Sequence, residues 1–180
     1  MTGTKSCRVF SENERLLPKY ALVTGVRKNE AIKSFNLIID LANTGNLESY
    51  YNSDLGILEH YRQRAAEGKF MFLKATKKLF ISVVSKTLVD EIAKSNKVSY
   101  SAIRKRVTRA KFSIRIKELR SYYATYRRQY GILARAYIDL QQGYIPKSVF
   151  ANHYLKIESV KEIVQEVNAV TATIEIDLLS

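Results

Sequence analysis

The chain holds one cysteine, Cys7, no tryptophan, two prolines and two histidines in 180 residues. A lone cysteine cannot close an internal disulfide, and Cys7 with His60 and His153 provides no zinc-ligand spacing. Neither a structural metal nor a cofactor is therefore expected. With proline only at positions 18 and 146 there is no Pro-rich linker, and no repeat of fixed period is visible, so a continuous fold is predicted. No stretch approaches the ~18 uninterrupted apolar residues of a membrane span, and Met1 to Phe10 carries no secretory pattern. These absences predict a soluble, intracellular, cytoplasmic protein with no membrane partner and no small-molecule substrate. Acidic residues are scarce as well: 17 Asp and Glu against 30 Lys and Arg leave a net charge of +13. Such a surplus attracts polyanions through the summed surface field, and nucleic acid is the first candidate.

What is present is a chain of 46% hydrophobic residues with 12 tyrosines, enough for one packed domain of ordinary size. Ser11 with Glu14 forms a capping-box pattern, and Pro18 suits the first turn of a helix that Gly25 stops. A second helix is predicted from about Asn29, with Ala31, Phe35, Ile38, Ile39 and Ala42 on one face and Asn43-Thr44-Gly45 at its end. Phe70 to Leu73 and Leu79 to Val84 are rich in aromatic and β-branched residues and flank the polar segment Lys74 to Lys78, which reads as a β-hairpin with a basic tip. Helical spacing returns in Leu88 and Ile92, in Ile103, Val107 and Ala110, in Leu119, Tyr123, Tyr126 and Tyr130, and in Leu133, Ala136, Tyr137 and Leu140 before Gly143. Pro146 opens a short helical turn carrying Tyr154, and Val160, Ile163, Val164 and Val167 mark a last helix. The tail Ile174, Ile176, Leu178 alternates like a strand. The predicted class is mainly α with a small antiparallel β-sheet, α+β.

The charge is concentrated. Between Arg104 and Arg128 there are ten Lys or Arg and one acid, Glu118. A solvated basic face is the ordinary explanation. Tyr122, Tyr123 and Tyr126 among the charges favour a phosphate-backbone footprint instead. Its DNA-contacting cations would be Arg104, Arg106, Arg109 and Lys111, with Lys74 and Lys78 of the hairpin.

Cleaving a phosphodiester without a metal needs a nucleophile, cations that hold the non-bridging oxygens as charge builds, and an acid for the leaving 5′-oxygen. Arg27, Lys77, Lys117, Arg120 and Tyr154 could supply these, although each alone has a plain alternative as a surface cation or a core tyrosine. Their order along the chain adds a resemblance. Thr24-Gly25-Val26-Arg27-Lys28-Asn29-Glu30 resembles the Thr-Gly-x-Arg-x-x-Glu box of tyrosine recombinases, the site-specific integrase family, in which the arginine precedes a helix and the acid braces it. Phe72-Leu73-Lys74-Ala75-Thr76-Lys77 followed by Leu79-Phe80-Ile81-Ser82 is similar to the family's hairpin, whose lysine enters the DNA minor groove. Ile116-Lys117-Glu118-Leu119-Arg120 is similar to the family's His/Lys-x-x-Arg box, with lysine first as in integrases of archaeal viruses and plasmids. Leu140 to Phe150, running into Asn152-His153-Tyr154, resembles the closing motif of those archaeal integrases, with Tyr144 standing where the family usually has histidine, arginine or another donor.

The resemblance spans roughly Leu17 to Val167 and implies a catalytic domain of the tyrosine recombinase or type IB topoisomerase-like fold. Residues 1–16 would be an N-terminal extension, residues 17–180 the catalytic domain without the family's usual core-binding domain, and residues 168–180 a C-terminal tail. It further implies a metal- and ATP-independent DNA strand transferase of archaeal or viral origin, acting in integration on double-stranded DNA as a homo-oligomer. Tyr154 would be the nucleophile, Arg27 and Arg120 the oxyanion-binding pair, Lys77 the general acid, and Lys117 a phosphate-positioning or proton-accepting group. Tyr144 would complete the catalytic set, with Glu30 and His153 in support. Two other readings stand beside it: a truncated relative that binds or regulates without catalysis, and a nicking-closing enzyme that never pairs two duplexes.

Overall fold

The computed structural model of the chain describes residues 12–74, 78–109 and 116–130, with 161, 164–165 and 167–169. It is mostly helical. α1 (Glu12–Thr24) and α2 (Lys28–Asn43) lead into β1 (Tyr51–Asn52) and β2 (Ile57–Glu59), and β3 (Ile81–Val83) is followed by α3 (Lys86–Ala93), α4 (Tyr100–Arg109) and α5 (Ile116–Tyr130). The three strands form one antiparallel sheet in the order β1-β2-β3.

Local sequence accounts for most of the boundaries. α1 stops where Gly25 takes φ +62°, a left-handed conformation that costs glycine little, and its N–H closes on Ala21 O at 3.0 Å. α2 buries Ala31, Phe35, Ile38 and Ile39 of the predicted face together with Ser34, leaves Ala42 half-buried, and ends at Thr44 and the left-handed Gly45. α3 begins at Ser85, whose Oγ accepts from Leu88 N–H at 3.3 Å, and it buries Leu88, Val89 and Ile92. The main core gathers Leu17 and Tyr20 of α1, Phe35 and Ile38 of α2, Leu88 and Ile92 of α3, and Leu58, Phe72 and Leu79 from the sheet side. Neighbours on a strand face opposite ways. Leu58 therefore joins this core, while Ile57 meets Val83, Val164 and Val167 in a second cluster, where the last predicted helix supplies the two C-terminal valines.

Two sequence expectations need correction. Pro18 lies inside α1 and not in its first turn. The missing N–H and ring clash cost about 3 kcal/mol within a helix, and burial of Leu17, Tyr20 and Ala21 on either side offsets that cost. The hairpin is present in reduced form: Leu73 and Lys78 make a single antiparallel bridge, and Leu79 N–H bonds Phe72 O at 3.1 Å. The regular strand Ile81–Val83 pairs instead with Ile57–Glu59, in the register Ile57–Val83, Leu58–Ser82 and Glu59–Ile81. β1 and β2 went unpredicted because they are two and three residues long, too short for alternation to show.

The core also carries a chain of hydrogen bonds between polar side chains. Tyr20 Oη lies 2.5 Å from Ser34 Oγ, Ser34 Oγ lies 2.7 Å from Tyr50 Oη, Tyr50 Oη lies 2.7 Å from His60 Nδ1, and His60 Nε2 lies 2.8 Å from Ser82 Oγ. All five residues are buried, and mutual bonding is what makes their burial tolerable. The chain ties α1 and α2 to β3. His60 also packs on Phe72, with ring centroids 4.7 Å apart.

Burial pushes the His60 imidazole from its ordinary value of 6.5 down to about 3. Between those values the unfolded chain binds a proton at this site and the native chain does not. The contribution of neutral His60 to stability is thus complete above pH 6.5 and is lost as pH falls toward 3, by up to about 1.4 kcal/mol per pH unit. Denaturant titrations from pH 7 to 4 should find His60→Gln less stable than the natural protein at pH 7, with a flatter acid limb. Parallel pH profiles for the two would show that His60 does not titrate in this way.

Candidate active site

The Gly25 turn organises the site. Thr24 Oγ1 donates to Tyr20 O at 2.7 Å, Val26 is buried beside it, and the chain leaves the turn through Arg27. Arg27 is the N-cap of α2, with extended backbone (φ −69°, ψ 148°). Glu30, in the first turn of that helix, accepts from Arg27 N–H at 3.3 Å, and the Arg27 Nη1 group donates to Glu30 Oε1 at 3.1 Å and to Oε2 at 3.4 Å. One carboxylate therefore satisfies the helix start and orients the guanidinium. Its place in the first turn is favourable for a negative charge. Both side chains are largely shielded, with 21% and 14% exposure.

Arg120 reaches the same turn from α5. Its Nη1 group donates to Gly25 O at 3.1 Å, across 95 residues of sequence. Of the side chains named by the sequence analysis, Arg27, Glu30 and Arg120 are thus brought together. Lys117 lies three residues before Arg120 on α5. The positions of Lys77, Lys111, Tyr144, His153 and Tyr154, and the side chains of Arg106 and Lys117, lie outside the described residues. Lys74 and Lys78 are exposed on either side of the hairpin tip.

α4 stands beside this turn by two attachments. Asn36 donates from Nδ2 to Val98 O, and its Oδ1 accepts from Val98 N–H, both at 2.9 Å, which clamps the segment before α4 to α2. Lys28 Nζ, next to Arg27, sits 3.8 Å from the centroid of the Tyr100 ring, a cation–π contact. α4 buries Ile103 and exposes Arg104, Lys105, Thr108 and Arg109, so two of the predicted DNA-contacting cations are exposed to solvent. The sequence reading missed Lys28, since nothing in local spacing links it to Tyr100. It missed Lys105 among the exposed cations, although its i, i+4 spacing with Arg109 was visible.

The tyrosines of α5 differ from their predicted shared role. Tyr122 is 60% exposed, whereas Tyr123 is 1% exposed and its ring packs on Gly25, just past the end of α1. Membership of a basic segment did not separate them; helix phase did. The Tyr126 side chain lies outside the described residues.

Two guanidiniums converging on one turn suit an oxyanion with non-bridging oxygens, because each is planar, permanently charged and forked. Among the described residues no group of three or more His, Cys, Asp or Glu could hold a metal ion. None of the described helices is long and apolar enough to cross a membrane. Comparison of the chain with protein-family models, with curated proteins and with solved structures found no match.

Proposed function

We propose that the chain is the catalytic domain of a tyrosine recombinase of the integrase type, which breaks and rejoins DNA strands through a 3′-phosphotyrosyl intermediate. In this reading Tyr154 attacks the scissile phosphate and the 5′-oxygen leaves with a proton from Lys77. Arg27 and Arg120 hold the charge that builds on the non-bridging oxygens, and Lys117 positions the phosphate or takes the tyrosine proton. Rejoining reverses these steps with a 5′-hydroxyl as nucleophile, so the bond energy is kept in the phosphotyrosine. The single observation that carries the reading is the Gly25 turn. The two arginines and the acid that the motif names come together there, Arg27 through Glu30 and Arg120 through the Gly25 carbonyl.

The test is covalent trapping. A duplex carrying a nick close to the scissile phosphate loses its 5′-hydroxyl fragment once cleaved, which leaves the enzyme attached. A protein–DNA adduct that survives denaturing electrophoresis is expected. If the protein binds duplex and forms no adduct, the chain is a binding module. Strand exchange between two labelled duplexes then distinguishes a recombinase, assembled as a homo-oligomer, from a nicking-closing enzyme.

Affinity is expected to rest on phosphate contacts from Lys28, Lys74, Lys78, Arg104, Lys105 and Arg109. Each phosphate neutralised lowers the logarithm of the binding constant by roughly 0.9 per tenfold increase in salt. A steep salt slope with little sequence preference is expected, and Arg104→Ala or Arg109→Ala should weaken cognate and random duplexes alike. Titrations of both duplexes at several salt concentrations measure this. A shallow slope with strong preference for one sequence would mean that the domain reads base edges unaided.

A further inference from the structure

The side chain that ties α5 to the Gly25 turn is Tyr123. Among the described side chains of α5 it alone is buried. Its ring lies so close to Gly25 that a Cβ built there would fall 2.6 Å from Cε1 and 2.7 Å from Cγ, and nearer still to Cδ1. Gly25 is therefore required twice: by its φ of +62° and by the ring pressed against its Cα. Tyr123 stands three residues after Arg120, on the same helix face, and Arg120 donates to the carbonyl of that same glycine. α5 thus grips one residue of the turn at two points.

The two contacts are mechanically different. An arginine side chain has several rotatable bonds, so one hydrogen bond to a carbonyl does not by itself set the orientation of the guanidinium fork or the position of the helix that carries it. A planar ring packed on a backbone carbon does set the helix position, because close packing leaves no slack. Arg27 leaves the turn only two residues after Gly25, and Glu30 holds its guanidinium. The ring contact therefore sets the distance between the α5 backbone and the start of α2. That distance determines where the Arg120 guanidinium can stand relative to Arg27.

We propose that Tyr123 is a positioning residue: by packing its ring on Gly25 it fixes the separation of the two arginine guanidiniums. This rests on the reading that Arg27 and Arg120 hold a phosphate together. A displacement on the order of 1 Å at such a site can cost about a hundredfold in rate.

The experiment compares Tyr123→Phe, which keeps the ring, with Tyr123→Leu, which keeps apolar volume without it. Each full-length variant is measured for duplex affinity, for the rate of adduct formation on the nicked duplex, and for the Arg side-chain Nε–H resonances of the DNA-free protein. Tyr123→Phe, which keeps the ring on Gly25, is expected to stay far closer to the natural protein than Tyr123→Leu in adduct rate and in the Arg120 resonance. In Tyr123→Leu the adduct rate should fall by roughly ten- to a hundredfold, affinity should change by less than about threefold because phosphate contacts dominate it, and the Arg120 resonance should move. The inference is overturned if Tyr123→Leu keeps both the natural rate and the Arg120 resonance, if affinity falls as far as rate, or if Tyr123→Phe behaves like Tyr123→Leu. Should Tyr123→Leu not fold, Tyr123→Met carries the same comparison. If the natural protein forms no adduct, it is the recombinase reading that fails, and the Arg120 resonance alone then decides whether Tyr123 positions that side chain.

Discussion

Replacing Tyr154 with phenylalanine is expected to abolish the covalent adduct on a nicked duplex while leaving DNA affinity nearly unchanged. The reaction needs an oxygen nucleophile at this position, and phenylalanine has none. A tyrosine hydroxyl titrates near 10 in water, so at neutral pH it must lose its proton as it attacks, and in the proposed site the assigned Arg and Lys would make the phenolate less costly. Affinity should survive because one hydroxyl adds little to a surface whose phosphate contacts dominate binding. Mass spectrometry of the nuclease-digested adduct of the natural protein should place the nucleotide on Tyr154. An adduct that persists in Tyr154→Phe would move the nucleophile elsewhere, with Tyr144 and Tyr130 the next positions to substitute.

Arg27→Ala and Arg120→Ala should each slow adduct formation by about a hundredfold or more, the usual cost of removing one preorganised oxyanion donor. Binding should fall far less, since each substitution removes one cation from a surface carrying many. Arg120→Ala also removes the donor to Gly25 O, and Arg27→Ala removes the ion pair with Glu30. That pair is largely shielded from water, so its loss costs at least the ~1 kcal/mol of an exposed pair. Thermal melts of both variants measure this stability cost separately from rate: a cooperative melt well above the assay temperature distinguishes a lost catalytic group from a damaged fold. Arg27→Lys and Arg120→Lys should recover little, because an ammonium carries the charge without the planar fork. Equal losses in rate and in affinity would reduce both residues to anchors.

The contrast between Arg27 and Arg120 shows how much of the site was legible along the chain. Arg27 and Glu30 lie three residues apart across a helix start, so their pairing follows from local geometry and could be read from the motif. The role of Gly25 as a stop was readable for the same reason. The contact of Arg120 with Gly25 was not, and neither were the packing of Tyr123 on that turn, the clamp between Asn36 and Val98, or the Lys28–Tyr100 contact. Each joins segments whose separation carries no periodic signal. His60 illustrates the same limit from the core side: a lone histidine in a sequence has no visible partner, and its four companions come from α1, α2, β3 and the segment before β1.

The sequence by itself determined the class, because composition, helical periodicity and turn residues act within a few residues of one another: a mostly helical α+β chain, strongly basic, with α2 and its stop, and the Leu88–Ile92 face of α3, where spacing puts them. Only the tertiary structure decided that Pro18 sits inside a helix, that Ile81–Val83 pairs with Ile57–Glu59, and that Tyr123 is buried against Gly25. Those outcomes depend on burial against distant elements. Burial free energy, at roughly 25 cal/mol per Å² of apolar surface, exceeds the local preferences that a linear reading can weigh.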